Sequence, residues 1–163
     1  MGAVFADSKI PLAANLDFSV QTVLSMKVYA TAPVGTVVKF KLEGTDASAE
    51  VDVLTTVSEE WETLEWVFAG TSNDLSEVVF MFDFGNEGGG SANSTFYFDD
   101  VEQISGPASP MPATLSVNFE DGAVSSDFLN YSGAIATVIP NPQVNGINTS
   151  NTVCQVVKDS GEF

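Results

Sequence analysis

The sequence has no arginine and no histidine, and it contains one cysteine and five lysines among 163 residues. Against those five positive charges stand 22 acidic residues, which give a formal net charge of -17 at pH 7. So acidic a surface repels phosphates, and there is no arginine for bidentate contacts to phosphate or guanine. We therefore expect no nucleic-acid partner, and a neutral ligand, a cation or another protein remains.

The missing histidines also remove several kinds of chemistry. Ser/His/Asp catalysis and histidine-rich zinc or iron sites both need an imidazole. Cys154 is alone in an apolar run, so no internal disulfide can form and a buried thiol is expected. Paired carboxylates can hydrolyse glycosides without histidine, but no pair is marked by two different environments. We expect a protein that is not an enzyme.

Long apolar runs are missing as well. No stretch reaches the roughly 20 apolar residues of a membrane span, so no membrane insertion is expected. The opening MGAVFADSKIP has neither the basic start nor the apolar centre of a signal peptide. With 44% hydrophobic residues and 12 phenylalanines, the chain can build a packed core. One domain over residues 1–163 is predicted.

Alternation of apolar and polar residues is what the chain has in abundance. It runs through residues 22–30, 36–44 and 49–54, the pattern of half-buried antiparallel strands. Further strands are predicted within 60–70, 77–85, 94–103, 113–120, 133–139 and 152–158. No segment of helical length shows a period of 3.6. These patterns predict an all-β fold, an antiparallel β-sandwich.

Two stretches interrupt this pattern. Residues 85–95, GNEGGGSANST, have the composition of a flexible hairpin loop. Residues 105–113, SGPASPMPA, are a plausible linker because proline and serine keep such a segment extended. The part after this linker is too short for an independent domain, so the two parts are expected to complete each other.

Several motifs point to a family. Residues 115–128, LSVNFEDGAVSSDF, resemble the opening of jelly-roll carbohydrate-binding modules of the family 4 and galactose-binding-like type. Residues 59–70 are similar to the tryptophan-containing strand of these modules, and residues 96–103 to their closing strand. The stretch 133–163 is similar to the part that follows the opening in related modules of secreted polysaccharide-degrading systems.

The order of these motifs departs from the family, because the usual opening follows the usual ending. The chain is then either a circular permutant, in which the linker bridges the former termini, or a fragment of a tandem array. A strand-exchanged oligomer is the alternative to a self-contained permutant.

The resemblance implies a non-catalytic module that binds a neutral polysaccharide. It suggests a β-glucan as that polysaccharide. It also implies an extracellular or cell-surface location and possible neighbouring modules in a multidomain protein. The alternative function is a structural or self-assembling β-sandwich, such as an adhesin stalk, without a glycan ligand.

Related modules also hold a structural Ca²⁺ between the start and the end of the domain. The matching oxygen ligands in this sequence are Glu120, Asp121, Asp99 and Asp100. Alternation points Asp99 outward and places Asp100 where the strand could bulge. Carboxylates that converge there would repel each other without a cation. Alternatively, the two aspartates mark a solvated strand end, and Glu120 and Asp121 belong to a turn.

A sugar site combines an exposed aromatic ring with polar side chains. The outward strand faces offer such groups, and the predicted ligand-binding residues are Tyr29, Lys27, Lys39, Lys41, Glu43, Trp61 and Tyr97. Three of these lysines are expected to share one face with Tyr29. Alternatively, these residues form an ordinary solvated sheet face with cross-strand ion pairs.

The two tryptophans are predicted to point in opposite directions because their separation is odd. Trp66 is in step with Leu64 and Phe68, which indicates the core. Trp61 falls on the outer face, where it is either a stacking platform or a cover for an edge of the sandwich. Further aromatic candidates are Tyr97, Tyr131, Phe128 and Phe163.

Overall fold

The alternating segments pair into two antiparallel sheets in the computed structural model, which describes residues 3–106, 116–117, 119–120 and 128–158. The strands are β1 (Asp7–Pro11), β2 (Val23–Ala30), β3 (Val37–Glu43), β4 (Ser48–Leu54), β5 (Trp61–Val67), β6 (Glu77–Phe82), β7 (Thr95–Ile104), β8 (Ser116–Val117), β9 (Leu129–Tyr131), β10 (Ala134–Pro140) and β11 (Thr152–Lys158). A 3-10 turn at Ala92–Ser94 precedes β7. The predicted all-β sandwich is confirmed.

One sheet, sheet A, has the strand order β4-β3-β6-β1-β9. The other, sheet B, has the order β10-β11-β7-β2-β5, and β8 pairs with β7 beside this path. The pairings between the named strands are antiparallel, which lets each sheet turn one face to the core and one outward. Among the described residues, no helix is both long and apolar enough to span a bilayer.

Aromatic side chains fill the space between the sheets. The rings of Phe80 in sheet A and Phe98 in sheet B have centroids 4.8 Å apart, and those of Phe82 and Phe96 lie 5.1 Å apart. Trp66 is fully buried and donates its indole N–H to the carbonyl oxygen of Val38 at 3.1 Å. This contact joins sheet B to sheet A, so the prediction that Trp66 belongs to the core is confirmed.

The segment after the predicted linker contributes to both sheets. Strand β9 pairs with β1 at the edge of sheet A, whereas β11 pairs with β7 and carries β10 with it in sheet B. Cys154 of β11 is completely buried, and burial raises the pKa of its thiol well above the usual range. The linker residues 107–113 lie outside the described residues.

The connection between β10 and β11, residues 141–151, crosses the outer face of sheet B and is called the strap. It reaches β5 at the opposite edge, where the carbonyl oxygen of Gln143 accepts the indole N–H of Trp61 at 2.9 Å. It also passes over β7, where the Asn148 amide donates to the buried Asp99 carboxylate at 3.4 Å. The strap therefore ties the last two strands to the earlier part of the chain.

A buried ammonium group binds the connection between β6 and β7 from the interior of the protein. Lys158 is 1% exposed, and its Nζ donates to the carbonyl oxygens of Phe82 at 3.4 Å, Asp83 at 2.8 Å and Asn86. Burial lowers the pKa of this lysine. Near the start of the described chain, the Val4 carbonyl accepts the N–H of Gly85 at 2.9 Å. The glycine-rich composition predicts a flexible loop, but these bonds hold its first half in place.

Candidate functional site

The structure divides the seven predicted ligand-binding residues between two opposite surfaces. Lys27, Tyr29, Trp61 and Tyr97 belong to strands of sheet B, whereas Lys39, Lys41 and Glu43 belong to β3 of sheet A. The expectation that three lysines share a face with Tyr29 is wrong. Alternation correctly places these side chains on the outer faces of their sheets. Because β2 and β3 lie in different sheets, the two outer faces are on opposite sides of the sandwich.

The aromatic residues on sheet B form a row that is largely closed by the strap. Trp61 lies opposite Tyr29 and Tyr29 opposite Tyr97, with ring centroids 5.7 and 5.8 Å apart. Tyr29 and Trp61 are each only 7% exposed and pack with Val153 in a small second core. A sugar needs a free ring face for stacking. Trp61 therefore covers this side of the sandwich, the alternative that its sequence position left open.

Asp99 and Asp100 have different surroundings although they are neighbours in the chain. The strand bulges here: the register slips between Ser25 and Lys27, and Asp100 has a left-handed φ of 47°. Asp100 turns to the surface and pairs with Lys27 at 2.7 Å. Asp99 stays under the strap, and its pKa is raised by burial, against hydrogen bonds from Ser150, from the Asp100 backbone and from Asn148.

Glu120 binds the end of the strap. Its carboxylate accepts the Thr152 backbone N–H at 2.8 Å and the Asn151 amide at 2.9 Å, and these bonds lower its pKa. Among the described residues, no three carboxylate, cysteine or histidine side chains are grouped so that they could hold a metal ion. Asp121 lies outside the described residues. The described carboxylates thus do not form the expected Ca²⁺ ligand set, and the calcium site stays a prediction.

The outer face of sheet A carries an open cleft, called here the Tyr131 cleft. Its lining residues are Asp7, Lys9, Glu43, Val79 and Tyr131, and it encloses about 100 Å³. Tyr131 is 43% exposed and lies opposite Asp7 in the β1–β9 pairing. In the pairing of β1 with β6, Lys9 lies opposite Val79. An accessible ring, an apolar floor and charged hydrogen-bonding groups therefore meet on one sheet face.

Lys9 and Glu43 of the Tyr131 cleft are held in ion pairs. The Lys9 Nζ lies 2.9 Å from Glu77, 3.3 Å from Glu43 and 5.3 Å from the centroid of the Tyr131 ring. The hydrogen bond to Glu77 raises the pKa of Lys9, with a further contribution from Glu43 against burial. The hydrogen bond from Lys41 lowers the pKa of Glu43. Both groups stay charged at neutral pH, so the ion pair between Lys9 and Glu43 persists there.

Asp7 differs from the other acids of the cleft. One of its carboxylate oxygens is buried and has no hydrogen-bond partner among the described residues. Burial and then the charge of Glu43 raise the pKa of Asp7, whereas Lys9 and Lys41 lower it. The cleft therefore contains a poorly solvated carboxyl group, one oxygen of which has no donor among the described residues.

Comparison of the chain with protein-family models, with curated proteins and with solved structures finds no match. The case for a function therefore depends on the geometry of the molecule itself.

Of the five residues that line the Tyr131 cleft, only Glu43 was among the predicted ligand-binding residues. Asp7 and Lys9 lie in β1, a five-residue strand that ends in proline and was not predicted. Tyr131 was named as an aromatic candidate, but its three-residue strand β9 has no alternation long enough to place it. Of the two predicted lysines on this face, Lys39 is 5% exposed and packs over the Phe84 ring at 4.1 Å, so it lies under the surface. Phe163 lies outside the described residues.

Proposed function

We propose that the protein is a non-catalytic carbohydrate-binding module that holds a neutral polysaccharide on the outer face of sheet A. The observation that carries this proposal is the Tyr131 cleft, where an exposed ring stands beside acidic and basic side chains on an open sheet. The C–H face of a sugar ring can stack on tyrosine while its hydroxyl groups bond to carboxylates and ammonium groups.

The charge of the chain supports a neutral ligand over an acidic one. A formal net charge of -17 opposes the approach of uronic acids or sulfated sugars. Lys9 and Lys41 are already paired with Glu43, so neither is a free cation for an anionic ligand. A β-glucan is the proposed polysaccharide, and this choice rests on the family resemblance. The proposed membership in the jelly-roll modules and the proposed extracellular or cell-surface location rest on the same resemblance.

Affinity gel electrophoresis tests this proposal. The wild-type protein is run in gels that contain laminarin, mixed-linkage glucan, xylan or mannan, beside Tyr131→Ala, Tyr131→Phe and Leu129→Ala. We expect one class of polysaccharide to slow the wild type, Tyr131→Phe and Leu129→Ala, and Tyr131→Ala to run as in a gel without polysaccharide. Leu129 is the matched control because it lies on the same strand and is 45% exposed.

Two results would contradict the proposal. Unchanged mobility of the wild type in every gel would remove glycan binding and favour the structural or self-assembling module. Equal retardation of the wild type and Tyr131→Ala would move the site away from the Tyr131 cleft.

A further inference from the structure

One pocket at the described surface lies away from the Tyr131 cleft, at one end of the sandwich, and is called the end pocket. It measures about 390 Å³ and is formed where the β2–β3 connection meets the β6–β7 connection. The first connection supplies Val34, and the second supplies Asp83, Asn86 and Asn93. Pockets that hold small molecules start at about 300 Å³, so the end pocket is large enough for a compact ligand.

The wall of the end pocket is rigidly supported. The buried Lys158 ammonium binds the backbone carbonyls of Asp83 and Asn86 from behind. The Asn86 amide donates to the Asp83 carboxylate at 2.7 Å, so these two side chains are set relative to each other. The N–H of Gly90 donates to the Lys158 carbonyl at 3.1 Å and fixes the far side of the same loop. A wall held in this way loses little freedom when a ligand binds.

The groups that face the end pocket select the chemical class of its ligand. Its lining contains one carboxylate, two side-chain amides and no lysine. One carboxylate is few for a Ca²⁺ site, and an anion would meet the Asp83 carboxylate in a lining that contains no lysine. Amides both donate and accept hydrogen bonds, which suits hydroxyl groups. Val34 is 60% exposed at the rim and offers an apolar contact.

We infer that the end pocket is a second binding site, which takes a small neutral polyol of mono- or disaccharide size. Its ligand bonds to Asp83, Asn86 and Asn93 and rests its C–H groups on Val34. This site is independent of the Tyr131 cleft, because the two share no lining residue.

Side-chain amide signals in NMR spectra test the inference directly. The isotope-labelled protein is titrated with the methyl glycosides of glucose, galactose and mannose, and with cellobiose and laminaribiose. We expect at least one probe to shift the signals of Asn86 and Asn93 in a saturable manner, while the signal of the exposed Asn145 on the strap stays unchanged.

Variants then separate the end pocket from the Tyr131 cleft. Asn86→Ala removes one hydrogen-bonding group and should weaken binding roughly three- to tenfold. Val34→Trp fills the rim and should abolish binding, whereas Asn145→Ala and Tyr131→Ala should leave it unchanged. Both pocket positions are exposed, so the variants should fold, as circular dichroism will show.

The inference is overturned if no probe shifts the Asn86 and Asn93 signals, or if Asn86→Ala and Val34→Trp both bind as the wild type does. These outcomes are distinct from failure of the proposed function, which is read from polysaccharide retardation and its loss in Tyr131→Ala.

Discussion

Trp61 and Gln143 are 82 residues apart in the chain, and a hydrogen bond of 2.9 Å joins the indole N–H of the first to the backbone carbonyl of the second. This bond connects the last hairpin of sheet B to the strand at its opposite edge. It closes much of the surface over Tyr29, so we expect the aromatic row of Tyr29, Trp61 and Tyr97 to contribute to stability more than to ligand contact.

Replacing Trp61 by phenylalanine should therefore affect stability and leave glycan binding alone. Trp61→Phe keeps an aromatic ring but removes the donor, and the free energy of unfolding should fall by about 1 kcal/mol. Urea denaturation measures this loss, and gel retardation measures binding. Gln143→Ala is the control, because the acceptor is a backbone atom that the substitution retains. Loss of glycan retardation in Trp61→Phe would instead return this residue to the binding surface.

Lys158 should be the lysine whose loss costs the most stability. Lys158→Met keeps the length of the side chain but leaves the carbonyls of Phe82, Asp83 and Asn86 without their shared donor, which should cost about 3 kcal/mol. Lys27→Met removes a more exposed ion pair with Asp100 and should cost less than about 1 kcal/mol. Equal losses in chemical denaturation would show that the buried ammonium does not anchor the loop.

Gly88 and Gly89 give a matched test of close packing in this loop. A Cβ atom at Gly88 would lie 2.2 Å from the carbonyl oxygen of Lys158, whereas a Cβ at Gly89 would meet nothing within 4 Å. Gly88→Ala should lower the free energy of unfolding by about 1–3 kcal/mol, the usual range for overpacking. Gly89→Ala should lie within about 0.5 kcal/mol of the wild type. The reverse order would contradict the position of Lys158 against this loop.

Asp99 should make stability depend on pH in a defined direction. Its pKa is raised on folding, so the folded state binds more protons than the unfolded state between the unfolded value of 3.8 and the folded value. The cost of burying the ionised Asp99 carboxylate is therefore relieved, and the free energy of unfolding rises, as the pH falls through the folded pKa towards 3.8. Asp99→Asn should be more stable than the wild type at pH 7, and the difference should shrink by pH 4 in thermal unfolding scans.

Repeating those scans with Ca²⁺ or a chelator tests the calcium prediction. If Asp99 is a Ca²⁺ ligand, the ion should raise the unfolding temperature of the wild type at pH 7 and not that of Asp99→Asn. If the two proteins respond alike to calcium and chelator, Asp99 is only a buried carboxyl under the strap.

The sequence allowed the strands to be predicted more closely than the sites. Alternation predicted the positions of β2, β3 and β4 and placed Trp61 and Trp66 on opposite faces. These predictions succeed because they depend only on neighbouring residues within one strand. The short strands β1 and β9 lack such a pattern. The division of Tyr29 and Lys41 between two surfaces depends on which strands share a sheet, and local periodicity does not contain this information. The burial of Trp61 depends on a loop 82 residues away.

Cys154, buried between β10 and β7, also has a consequence for measurement. It is the only thiol in the chain, and no part of it is accessible in the folded molecule. An alkylating reagent can reach the thiol only when the last hairpin opens, so the rate of labelling measures how often that hairpin opens. A single mass increment per molecule would report how often the protein exposes the strand that its end segment contributes, without any added probe.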